Sequence, residues 1–71
     1  MRKLSKEQLK LWYFDAVRSV LILENGLLPD EADATLSAAG LKEDIENYTE
    51  VQLHVDPRDT ARELRRFYPV A

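Results

Sequence analysis

The sequence predicts a mainly α protein, a small bundle of three to four helices around one long N-terminal helix, with a short extended or strand segment near 49–55. Three observations carry that expectation. From Ser5 to Asn25 the chain runs without Pro or Gly and places large apolar side chains at helical spacing. Asp30 and Asp56 each stand where a further helix can start. An apolar residue, a Gly four on and an apolar residue directly after recur at Ile22, Gly26, Leu27 and at Leu36, Gly40, Leu41, the spacing of a Schellman helix ending. At 71 residues the chain reads as one domain, 1–71.

The first helix is expected over 5–25, roughly 30 Å long at 1.5 Å per residue. Ser5 with Gln8 three residues later is a capping box, and Asn25-Gly26 is a stop. At 100° per residue, Leu9, Trp12, Tyr13, Ala16, Val20 and Leu23 share one face, which Val17, Leu21 and Phe14 widen. Asp15, Arg18 and Ser19 form the polar strip, with Asp15 and Arg18 spaced as an i,i+3 ion pair; Leu11 and Ile22 flank the strip. A helix apolar over so much of its circumference is normally surrounded. A chain this short has few residues left to surround it.

After the Leu28-Pro29 break, Asp30 is the expected N-cap of a second helix over 31–39, with Ala32, Leu36 and Ala39 inward and Ala34 and Ala38 beside them. Leu41, Ile45 and Tyr48 space a third, short helix over 41–48. Thr49 to Val55 alternates, with Val51, Leu53 and Val55 against Glu50, Gln52 and His54, and is read as an extended segment packed on the helices, ahead of a strand paired across a dimer axis or a helical continuation. Asp56 with Pro57 starts the last helix, which runs to Phe67 or Tyr68 before Pro69. Ala61, Leu64 and Tyr68, with Phe67 alongside, are its expected buried edge.

Composition narrows the chemistry. The chain has no cysteine, which removes disulfides, thiolate ligands and Cys nucleophiles. Its single His, His54, reads as structural, and its serines are taken by capping or helix surface. The acids at Asp30, Glu31 and Asp33 lack the Gly and bidentate Glu of a calcium loop. No catalytic residue, metal site, cofactor or small-molecule substrate is therefore expected. Asp15 and Arg18 interrupt the longest apolar helix, so no membrane span is expected. The basic N-terminus is not followed by an apolar run, so the default location is the cytoplasm.

Net charge is −3, unevenly spread. The segment 29–50 holds most of the acids against Lys42, while both ends are basic. Such a chain can attract its own copies or a basic partner. A helix-turn-helix at Gly40 is disfavoured, because Leu36 is bulky at the crossing position and Glu43, Asp44 and Glu46 would repel phosphate.

Two function classes follow. The first is a small non-catalytic interaction or regulatory module that self-associates, as a homodimer first of all, or docks on another protein. It would use the apolar surface of helix 5–25 at Leu11, Trp12, Phe14 and Ile22, residues that core filling would otherwise claim. The second is a nucleic-acid-associated accessory protein using the stripe Arg58, Arg62, Arg65 and Arg66, extended by Lys3, Lys6 and Lys10 if the chain ends meet. Pairing of Asp59 and Glu63 with Arg62 and Arg66 would instead leave that stripe a solvated face.

Overall fold

Ser5 starts the first helix as its spacing predicts: its Oγ accepts from the Gln8 backbone N–H, and the Gln8 side chain accepts from the Ser5 N–H. A computed structural model describes residues 5–69. Among them α1 spans Lys6–Leu23, α2 Pro29–Ala39, α3 Leu41–Glu46 and α4 Pro57–Phe67. Gly26, at φ +72°, turns the chain out of α1 through the left-handed region. The Leu27 N–H then donates to Leu21 O at 3.1 Å, one residue further back than the Schellman spacing implies. Leu27 folds back into the core all the same.

The second helix starts earlier than expected. Pro29 takes the first helical position, where a missing N–H costs nothing, and Leu28 is the extended cap residue. Glu31, not Asp30, serves the cap by accepting from the Leu28 N–H at 2.9 Å. Ala32, Thr35 and Leu36 face inward. Gly40, left-handed at φ +63°, joins α2 directly to α3. Leu41 and Ile45 are buried, and Tyr48 sets its ring edge-on to Tyr13 with centroids 6.1 Å apart.

Residues 49–55 are not extended. Thr49 and Gln52 form a second capping box: Gln52 Oε1 accepts from the Thr49 N–H at 2.8 Å, and Thr49 Oγ1 from the Gln52 N–H at 3.3 Å. A 3-10 turn follows at Gln52–His54. It buries Leu53 and leaves Val51, His54 and Val55 exposed, so the alternation does not define a face. No strand occurs among the described residues. Asp56 caps α4 as expected, its Oδ1 accepting from the Arg58 N–H at 2.9 Å. Ala61 and Leu64 are buried there, but Phe67 and Tyr68 are exposed, because the last turn of α4 runs beyond the core.

The other helices pack around α1, α4 most extensively. The inward stripe of α1 is Lys10, Tyr13, Val17 and Leu21. That stripe follows the edge where Val17 and Leu21 widen the predicted face, about 100° from the centre of the six-residue face before widening. Trp12 and Leu23 consequently point to solvent. The proposed Asp15–Arg18 pair gives way to a contact between helices, Arg18 Nε to Asp33 Oδ1 at 2.7 Å. Nor does Lys10 extend a basic patch: it is buried, and its Nζ donates to Glu46 O at 3.0 Å. Lys3 lies outside the described residues. No helix is long and apolar enough among the described residues to cross a membrane.

Tyr13 is 1% exposed, and its hydroxyl shares a hydrogen bond with Thr60 Oγ1. Tyr13→Phe removes that bond alone, and urea denaturation is expected to show a loss of about 1 kcal/mol. Tyr13→Ala also opens a cavity and should lose about 3–5 kcal/mol.

Candidate docking face on the first helix

The four α1 residues singled out from sequence do not form one patch. Leu11 and Phe14, about 60° apart on the helix, line a groove of about 340 Å³ between α1 and α3. Ile45 is part of its lining, and Glu7, Lys10, Lys42 and Glu46 are its charged groups. Leu11 is 73% exposed; Phe14 and Ile22 are partly buried against the core. Ile22 lies on the Leu11 side of α1, beyond Arg18. Trp12 is half-exposed, lies about 160° around the helix from Phe14, and packs edge-on to Tyr13 instead.

A second hollow of about 290 Å³ adjoins the first and shares Phe14 and Lys42 with it. Leu36, Ser37, Asp33 and Glu43 complete its lining. The two hollows together make one face across α1, α2 and α3 with an apolar floor and a charged rim. Ile45, spaced with Leu41 and Tyr48 on α3, is buried in the core and also lines the groove, whereas sequence reasoning gave Lys42, Glu43 and Glu46 no role at this face. The groove exists because α3 lies beside α1, a proximity that no local periodicity encodes.

The rim charges are unequally displayed. Lys10 Nζ lies 3.5 Å from Glu7 and 3.6 Å from Glu46, with its side chain 11% exposed against 76% and 60% for theirs. Arg18 is likewise less exposed than its partner Asp33. The cations point inward and the carboxylates outward. Lys42 is the exception, exposed and without an ion pair among the described residues. The Arg18 guanidinium, through its hydrogen bond, holds the Asp33 carboxyl below its ordinary range. The Arg58 backbone N–H and then its side chain do the same for Asp56, while burial pushes the Tyr48 phenol up.

The α4 arginines are divided. Arg58 pairs with Asp56 at 3.2 Å and Arg62 with Asp59 at 3.6 Å, both in the open. Arg65 and Arg66 have no ion pair among the described residues, so the expected Glu63–Arg66 pair does not form. The Arg66 guanidinium lies 5.7 Å from the centroid of the exposed Phe67 ring. No group of three or more metal-ligating side chains occurs among the described residues. The chain matches no protein-family model, and neither the curated proteins nor the solved structures include one similar to it.

Asp33 and Asp56 have folded pKa values below their unfolded ones, so the stability they contribute is present above about pH 4 and is lost as pH falls through the folded values. Thermal unfolding followed by circular dichroism should therefore show a midpoint that drops below about pH 4. Asp33→Asn together with Asp56→Asn should lower the midpoint at neutral pH and make the acid drop shallower.

Proposed function

We propose that the protein is a small non-catalytic interaction module of the cytoplasm that meets another polypeptide, either a second copy or a different protein, across α1. One observation carries this reading. The core closes around Tyr13, Val17 and Leu21, while Leu11, Trp12 and Leu23 of the same helix stay exposed. Of these, Leu11 borders the groove between α1 and α3, and exposed apolar surface at a groove is the ordinary signature of a docking surface.

A photoreactive residue at position 11, introduced in cells, should yield a covalent adduct with a second polypeptide. The same residue at His54, exposed on the 3-10 turn, should not. Equal inertness at both positions would contradict the proposal.

A second reading draws on Arg65 and Arg66, which carry no ion pair among the described residues beside an exposed Phe67. It makes α4 a strip for nucleic-acid backbone with a ring to stack on a base. Gel mobility shifts at low salt that vanish in Arg65→Glu/Arg66→Glu would favour it. No shift with the unaltered protein would remove it.

A further inference from the structure

We infer that the occupant of the α1/α3 groove is the end of α4 from a second copy of this chain, which makes the self-association head-to-tail instead of two-fold. The inference rests on the α1 docking surface proposed above and names its partner.

Charge complementarity points to that occupant. The groove offers an apolar floor at Phe14 and Ile45, the exposed carboxylates of Glu7 and Glu46, which share the buried Lys10 ammonium, and Lys42, which has no ion pair among the described residues. The end of α4 offers a matching set. Phe67 is 68% exposed and provides the apolar anchor. Arg66 lies over one side of its ring. Glu63, one helical turn before Phe67 and on the same side of α4 as Arg66, also lacks an ion pair among the described residues. With Phe67 seated, Arg66 meets the Glu7 and Glu46 carboxylates and Glu63 meets Lys42. Lys42 breaks the sign of an otherwise acidic rim, and this arrangement gives it a partner.

One copy cannot close this contact on itself. Lys42, Ile45 and Glu46 of α3 line the groove, whereas Leu41 and Asp44 of α3, with Tyr48, line a different hollow that the exposed Phe67 borders. The two surfaces thus lie on opposite sides of α3. A contact between unlike surfaces leaves a free groove and a free α4 end on every pair, so copies add in series or close into a ring. A single anchor in a shallow groove buries less than the ~1,200 Å² at the low end of stable interfaces, so the association is weak and salt-sensitive.

Sedimentation velocity on the whole chain, from micromolar to about millimolar concentration, tests this with two variants at exposed sites. Leu11→Glu blocks the groove and Phe67→Glu blocks the anchor, and circular dichroism checks that both remain folded. The unaltered protein should grow past a dimer as concentration rises and dissociate as salt is added. Each variant alone should stay monomeric, and an equimolar mixture of the two should form a dimer and stop there. Glu63→Lys should weaken growth, and Lys42→Glu in the same chain should restore it. A strict monomer at every concentration overturns the inference. So does growth that stops at two copies, or a mixture of variants that does not pair. If position 11 nevertheless crosslinks to a different protein, the docking surface stands and only the occupant named here falls.

Discussion

Three polar side chains on α1 decide which way that helix faces. Lys10 donates to the backbone of Glu46 at the end of α3, Tyr13 shares a hydrogen bond with Thr60 of α4, and Arg18 holds Asp33 of α2. Each companion helix receives one contact. Hydrophobic burial is non-directional and accepts many orientations of a helix that is apolar nearly all round. Hydrogen bonds have narrow geometry, and three of them at different angles around one cylinder leave a single orientation. The exposure of Leu11, Trp12 and Leu23 follows from that choice.

The same constraint explains what was legible in the sequence and what was not. Capping chemistry is local, so Ser5 with Gln8, Asp56 with Pro57, and the left-handed Gly26 and Gly40 all read correctly. Thr49 with Gln52 forms the same capping box as Ser5 with Gln8 and was equally readable, but the sequence reading followed the alternation of Val51, Leu53 and Val55 alone. Period alone is a poor guide over so few residues, and the Thr49–Gln52 hydrogen bonds settle the turn. The rotation of α1 was not legible. Its apolar positions outnumber those its companions can cover, and the polar groups that select the stripe find their partners on α2, α3 and α4, far off in sequence.

The candidate site divides along the same line. Leu11 was identifiable as surplus apolar surface, since it flanks the polar strip of α1. Grouping Trp12 with it was an error of angle, because the two lie about 100° apart on the helix. Lys42 and Glu46 gained their place only when α3 came to rest beside α1. Lys10 looked like one of several N-terminal cations, yet it falls in line with Tyr13 and Val17 at helical spacing. A lysine on an inward stripe needs an acceptor for its ammonium, and Glu46 O supplies it.

A paramagnetic probe dissolved in the solvent tests the orientation of α1 most directly, because proton relaxation then reports the distance of each side chain from the surface. With the protein dilute enough to be monomeric, the account predicts strong relaxation at Leu11, Leu23 and the Trp12 ring, and protection at Tyr13, Val17 and Leu21. Protection of Trp12 and Leu23 with strong relaxation at Val17 would place the inward stripe a step around the helix. It would take the groove, the exposed face and the anchor contacts with it.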